Sequence, residues 1–285
     1  MYSRPGALGQ AWRQAAVLVS VAFALFPVAW IFSASLNPSN TLVGQRLIPR
    51  NPSLDHYTEL FTNPAHPFGL WLWNSIKVSS ISAVLTVTMA ALAAYAFSRF
   101  RFRGRRAGLL TLLIVQMFPQ MLAMVALYLM LLTIGRYVPS LGINTHGGLI
   151  LVYLGGALGF NTYLIKGYFD TIPRSLEESA MMDGATPFQA FVHVILPLSR
   201  PVLAVIFLLV FIGTYSDFLL ASILLKDRSL LTFAVGLRIF VSGQYSTRWG
   251  VFAAASLVGA LPVATIFYLL RNQFVSGLTR GAVKG

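Results

Sequence analysis

The chain has 285 residues, 56% of them hydrophobic and 10% charged, where ordinary globular domains carry about a quarter charged residues. That composition excludes one large soluble core, and the absence of cysteine excludes a disulfide frame, thiol catalysis and thiolate-bound metal. A net charge of +13 suggests nucleic acid at first sight, but the basic residues fall between apolar runs rather than along one polar face, which is the pattern of membrane topology.

Crossing a hydrocarbon core takes about 20 apolar residues at a rise of about 1.5 Å each. Six runs qualify: 15–36, 76–97, 109–134, 148–165, 202–225 and 251–270. Pro27, Pro119 and Pro262 lie inside runs, where each removes a backbone donor and predicts a kink. The first run follows Arg4 and Arg13 and ends in "FSAS", the outline of a signal peptide. Its apolar stretch is longer than a signal h-region of about 7 to 15 residues, so it reads as a span. The segment after it carries Pro38, Pro49, Pro52, Pro64 and Pro67 and reads as an ordered outer loop with short elements.

"RFRFRGRR" at 99–106 packs five arginines between the second and third runs. A basic surface for nucleic acid and a cytoplasmic topology signal both fit an arginine cluster, and the lack of an accompanying basic fold favours topology. An all-α integral membrane protein with six transmembrane helices and both termini in the cytoplasm follows. Thirteen basic residues then lie inside and eight outside. The expected divisions are a first helix with outer segment over 1–70, a core of five helices over 71–271 containing a cytoplasmic loop at 168–200, and a tail over 272–285.

Polar groups within the runs, Gln116, Asn161, Tyr163, Tyr215, Ser216 and Asp217, must face a partner helix or an aqueous cavity. Aromatic and amide groups suit sugars, and bonding between helices fits the same residues equally well. His56, His66, His146 and His193 have no metal-ligand spacing, so no metal site is expected. The chain contains no phosphate-binding G-x4-G-K-[ST] loop, so ATP cannot be hydrolysed by that device here.

Four of the eight acidic residues, Asp170, Glu177, Glu178 and Asp183, lie between Asp170 and Asp183, at and just before the start of "EESAMMDGATPFQAFVHVILPLSRP", residues 177–201. The stretch predicts two short helices. Ser175 can cap the first, with Glu178 completing a capping box, and Gly184 supplies a left-handed stop. Thr186, Pro187 and Gln189 begin the second, and Pro197 ends it. Phe188, Phe191, Val192 and Ile195 form one apolar stripe, as in an amphipathic helix at the membrane surface. A stiff linker and a docking element for a cytoplasmic partner are both compatible with this pattern.

The spacing of Glu178, Ser179, Ala180, three residues, Gly184, nine residues, then Val194, Ile195, Leu196 and Pro197 resembles the E-A-A-x3-G-x9-I-x-L-P signature of type I ABC importer permeases. Ser179 and Val194 depart from it by small exchanges. Further along, "LLASILL", "WGVFAAAS" and "SGLTRGAVKG" resemble the smaller permease subunits of maltose and maltodextrin transporters. The resemblance implies a type I ABC importer permease fold whose cytoplasmic coupling helix docks on an ATPase, with Glu178, Ala180, Asp183, Gly184, Pro187 and Phe188 as the coupling residues. It also implies a second permease subunit, two ATP-binding subunits that hold the ATP, an extracytoplasmic sugar-binding protein and a sugar substrate, in a bacterial inner membrane.

By the same resemblance the glycine-rich tail, with Gly281, Lys284 and Gly285, contacts the ATPase, although a frayed terminus fits that composition too. Gln244 and Tyr245 in "FVSGQYSTRWG" would tip a scoop entering the binding protein, where an ordinary outer loop also fits. Asn161, Tyr163, Tyr215 and Asp217 are candidates for the translocation pathway. No cofactor, catalytic group or nucleic acid is implied. The rivals are an ion-coupled carrier, for which repeat symmetry and further intramembrane charges are missing, and a membrane enzyme, for which no converging catalytic set is visible.

Overall fold

The computed structural model describes residues 7–242 and 247–282, with side chains left undescribed at 7, 8, 120 and 274–282. Among the described residues there is no β-strand. The helices are α1 (Ala7–Leu36), α2 (Asp55–Thr62), α3 (Phe68–Arg99), α4 (Arg105–Met117), α5 (Gln120–Tyr137), α6 (His146–Asp170), α7 (Ser175–Met182), α8 (Pro187–Ala190), α9 (Leu196–Leu198), α10 (Arg200–Tyr215), α11 (Leu219–Leu224), α12 (Phe233–Val241) and α13 (Trp249–Ala282). A π-helical turn, Phe191–Ile195, joins α8 to α9.

Among the described residues, four helices are long and apolar enough to cross a membrane: Gly9–Leu36, Phe68–Arg99, His146–Asp170 and Trp249–Gln273. Two bent pairs, Arg105–Gln116 with Met121–Tyr137 at 101° and Pro187–Leu198 with Arg200–Tyr215 at 76°, bring the number to as many as six if each pair counts as one span. The run read as one continuous span over 109–134 is therefore broken. Phe118 precedes Pro119 and is extended, φ −68° and ψ 126°, because the proline ring disfavours helical backbone in the residue before it. Pro27 and Pro262, by contrast, lie inside the continuous helices α1 and α13. The run over 202–225 is also interrupted, α10 ending at Tyr215 and α11 beginning at Leu219.

The chain forms two compact units. One comprises Met1–Phe68 and Gly236–Ala260. In it α1 leaves a wall of apolar side chains uncovered, Trp12 and Phe23 among them, and none of its most apolar stretch is buried within the chain. Helix α2 orders the Pro-rich outer segment: Tyr57 shares a hydrogen bond of 2.8 Å with Ser35, His56 meets the Asn37 carbonyl at 2.7 Å, and Glu59 pairs with Arg248.

The other unit comprises Gly69–Val235 and Leu261–Gly285. Its hub is α6, which packs against α4, α5, α10 and α11. Gly159 permits the approach of α4, since a Cβ there would lie 2.5 Å from the Leu112 carbonyl oxygen. Gln116 locks the same pair: its amide donates to the Gly156 carbonyl at 2.7 Å and accepts from the Phe160 N–H at 2.5 Å. At one end of this unit the 226–233 segment is tied to α3. Trp71 donates to the Arg228 carbonyl at 2.7 Å, Asn74 to the Ser229 carbonyl at 2.8 Å, and Ser75 accepts from the Phe233 N–H at 2.7 Å.

Candidate functional site

The loop between α6 and α10 is a rigid mount with an exposed face. Helix α7 starts one turn after the end of α6, and its first residue is Ser175 itself. Ser175 is thus not a cap, and the capping box with Glu178 does not form: the N-cap is Arg174, with helical φ and ψ and no side-chain cap bond. Pro173 causes the difference. It opens the turn early, the Leu176 N–H reaching its carbonyl at 3.3 Å, so that Ser175 is already inside the first turn.

The end of α7 follows the expected chemistry. Gly184 has φ +91°, the left-handed conformation that only glycine adopts without strain. The Gly184 N–H bonds the Met181 carbonyl at 3.0 Å and the Ala185 N–H bonds the Ala180 carbonyl at 3.0 Å, the paired bonds of a Schellman stop. Ala180 is the acceptor residue of the one of these two bonds that spans more of the chain. Helix α8 begins with a complete capping box, Gln189 N–H to Thr186 Oγ1 at 3.3 Å and Thr186 N–H to Gln189 Oε1 at 2.8 Å, with Pro187 in its first turn.

Pro197 does not end this second helix, which continues to Leu198. Pro197 lacks an N–H and its ring crowds the carbonyl four residues back, and the ladder widens just before it: the Leu196 N–H bonds the Phe191 carbonyl, five residues back. The apolar stripe also divides. Phe191 and Ile195 are buried against the chain's own helices rather than lying along a membrane surface, with Phe191 4.6 Å from the Tyr95 ring and 6.4 Å from Phe169. Phe188, in the first turn of α8, is 64% exposed, although its ring lies only 6.2 Å from that of Phe191.

Two adjacent carboxylates take opposite roles. Glu177 is buried, pairs with Arg99 and accepts a hydrogen bond of 3.0 Å from the Tyr95 hydroxyl. The Tyr95 hydroxyl also lies 3.2 Å from the Pro187 carbonyl, and Arg99 donates to the Ile172 carbonyl at 3.1 Å. Helix α3 therefore holds both ends of the loop. Glu178, Asp183, Gly184, Pro187 and Phe188 are exposed on the opposite side, and Ala180 is half-buried. Leu176, Met181 and Met182 are exposed beside them, Met182 at 87%. These three apolar side chains and the Glu177 anchor were not singled out from the sequence. The signal for the first was the apolar content of a loop that should have been polar, and the second needed Tyr95 and Arg99, about 80 residues away in sequence.

A second feature lies between α6 and α10. Asp217 Oδ1 accepts from the Tyr153 hydroxyl at 2.9 Å and from the Ala221 N–H at 3.0 Å. Both residues line a cavity of about 270 Å³ with Gly156, Ala157, Gly213 and Thr214. Of the other pathway candidates, Asn161 donates to the Ala157 carbonyl of its own helix at 2.7 Å, Tyr215 is buried between the rings of Phe211 and Phe233, and Tyr163 is 48% exposed. The cavity therefore gathers Asp217 and the unanticipated Tyr153, not all four candidates. Gln244, Tyr245, Lys284 and Gly285 lie outside the described residues, and Gly281 belongs to α13.

Comparison with known proteins places this helical membrane chain in a transporter family. Residues 63–280 match the family of binding-protein-dependent transport system inner membrane components, and the chain belongs to that family. It is therefore a transport permease of the inner membrane and not an enzyme. It is 46% identical to the maltose/maltodextrin transport system permease protein MalG of Photorhabdus laumondii, covering 97% of each chain. It is 45% identical to the protein of that name from Escherichia coli strain K12, covering 94% of each. Among solved structures it resembles a chain of a bacterial ABC transporter involved in the import of the acidic polysaccharide alginate, with a TM-score of 0.74, 25% identity and coverage of 96% and 99%. A second chain, from a bacterial alginate ABC transporter in complex with its pentasaccharide-bound periplasmic protein, has the same fold at 17% identity and a TM-score of 0.64.

Proposed function

We propose that this chain is a permease subunit of an ATP-driven importer for maltose, maltodextrin or a related α-glucoside such as trehalose. It works beside a second permease subunit, two ATP-binding subunits and an extracytoplasmic sugar-binding protein. The observation that carries the mechanism is the division of the loop at 168–200 into a buried anchor and an exposed face. Closure of the ATP-binding subunits pushes on Glu178, Asp183, Gly184, Pro187 and Phe188, with Ala180 and Gly184 allowing close approach. The Glu177–Arg99 pair and the Phe191 and Ile195 stripe pass that movement to α3 and α6 as a rigid body, opening the sugar path to one side and then the other.

The relatives' names support the α-glucoside. Asp217 and Tyr153 offer hydroxyl-binding groups in one cavity; Asn161, Tyr163 and Tyr215, outside that cavity, are assigned to the same path only as polar side chains within apolar runs. The arginine-rich connection supports cytoplasmic termini. The tail residues Gly281, Lys284 and Gly285 reach the ATP-binding subunits, and Gln244 and Tyr245 reach the sugar-binding protein. In this scheme residues 1–70 bring the uncovered wall of α1 to lipid or the second permease, 71–271 form the core, and 272–285 form the tail. The test is uptake in vesicles containing the assembled complex: sugar accumulation that needs ATP and the binding protein supports the reading, and accumulation driven by an ion gradient alone overturns it.

A further inference from the structure

We propose that the chain holds a phosphate-bearing anion, in the first instance an anionic lipid headgroup, in a basic pocket where α3, α4 and α6 end or begin. The pocket has a volume of about 410 Å³ and is formed by Ser98 and Arg99 at the end of α3, Arg105 at the start of α4, and Asp170 through Arg174 after α6. Phe68–Arg99 and His146–Asp170, two helices long and apolar enough to cross a membrane, both end at it; in this proposal it lies at the headgroup level beyond their apolar stretches.

Its charges are not balanced from within. Arg99 is committed to Glu177, and Asp170 is committed to Lys166 at 2.5 Å and to the Ser98 hydroxyl at 2.6 Å. Arg105 and Arg174 form no ion pair among the described residues, yet both guanidinium groups converge on one acceptor, the Ser98 carbonyl, at 3.4 and 3.2 Å. Arg105 also donates to the Phe97 carbonyl at 2.6 Å. Capping these last carbonyls of α3 occupies three of the ten N–H groups that two guanidinium groups carry. The remaining donors sit on two cations brought side by side at a polar cavity. Guanidinium forks match phosphate oxygens two at a time, and a phosphodiester between them relieves the repulsion that the convergence creates.

A lipid headgroup and free phosphate share this chemistry, and the experiment separates them. The full chain, purified in detergent, is titrated with phosphatidylglycerol, with phosphatidylcholine and with inorganic phosphate. Retained ligand is read by native mass spectrometry and stabilisation by the shift in thermal unfolding. The expected result is a preference for phosphatidylglycerol over phosphatidylcholine that weakens about fivefold for each arginine removed, in R174Q and again in R105Q/R174Q. Arg174 is exposed and holds one carbonyl, so R174Q decides the matter if the double variant fails to fold. Stabilisation by inorganic phosphate that is lost in R174Q would support a soluble phosphate as the source instead. Equal binding of both lipids with no phosphate effect overturns the proposal, as does a preference unchanged in folded R174Q. If R174Q loses association with the ATP-binding subunits while lipid and phosphate binding stay intact, the pocket docks a protein and the proposal fails.

Discussion

Glu177 and Glu178 are neighbours in sequence and do different work. Replacing Glu177 with Gln leaves Arg99 buried without its carboxylate, and loss of one member of a buried pair destabilises by about 3 kcal/mol. The E177Q chain should unfold at lower temperature and accumulate poorly in the membrane. Glu178→Ala should leave the melting curve and membrane level unchanged and weaken recovery of the ATP-binding subunits in a pull-down; equal recovery would remove Glu178 from the docking face. Gly184→Asp separates the same two effects. No atom lies within 4 Å of a Cβ built at Gly184, so within the chain the substitution meets only the left-handed backbone strain, about 1–2 kcal/mol. Normal membrane level with uptake uncoupled from ATP hydrolysis is the expected outcome, and normal uptake would argue against close docking at this turn. Gly184 was legible in the sequence because positive φ restricts the residue type. Which carboxylate turns inward was not, since Tyr95 and Arg99 decide it from another helix.

At the scale of elements, the loop depends on its helix ends. Thr186→Ala removes the capping box that starts α8 and should lower stability by about 1 kcal/mol, read as a downward shift in thermal unfolding. The α4 and α6 pair depends on Gln116, whose amide bonds both ends of one turn of α6; Gln116→Leu removes both interhelical bonds, leaving the Gly156 carbonyl and the Phe160 N–H only each other within the helix, and should lower the unfolding temperature. Amide exchange in that turn of α6 should quicken in the same variant. Spans were legible as apolar runs because length and hydropathy suffice to define them. Their breaks were not: Pro27 and Pro119 look alike in sequence, yet one lies in a continuous helix and the other follows an extended Phe118. Periodicity likewise put Phe188 and Phe191 on one face, their rings 6.2 Å apart, but it carries no information about burial, and only Phe191 is covered.

At the scale of the whole molecule, the chain lacks a phosphate-binding loop, and the 168–200 loop is anchored from within by the Glu177–Arg99 pair. Composition made the membrane legible and the 177–201 motif made the family legible. The Asp217 and Tyr153 cavity was half visible, since a lone intramembrane carboxylate draws attention while its tyrosine partner, 64 residues away, looks like any apolar-span aromatic. The central claim is that force entering at the loop moves sugar through the spans. It is tested most directly by ATP hydrolysis in proteoliposomes holding this chain with its partner subunits, measured with the binding protein and each candidate sugar. The account predicts hydrolysis stimulated by maltose, maltodextrin or trehalose together with the binding protein, coupled to uptake and uncoupled by Gly184→Asp. Uptake that proceeds without ATP hydrolysis, or coupling that survives Gly184→Asp unchanged, would contradict it.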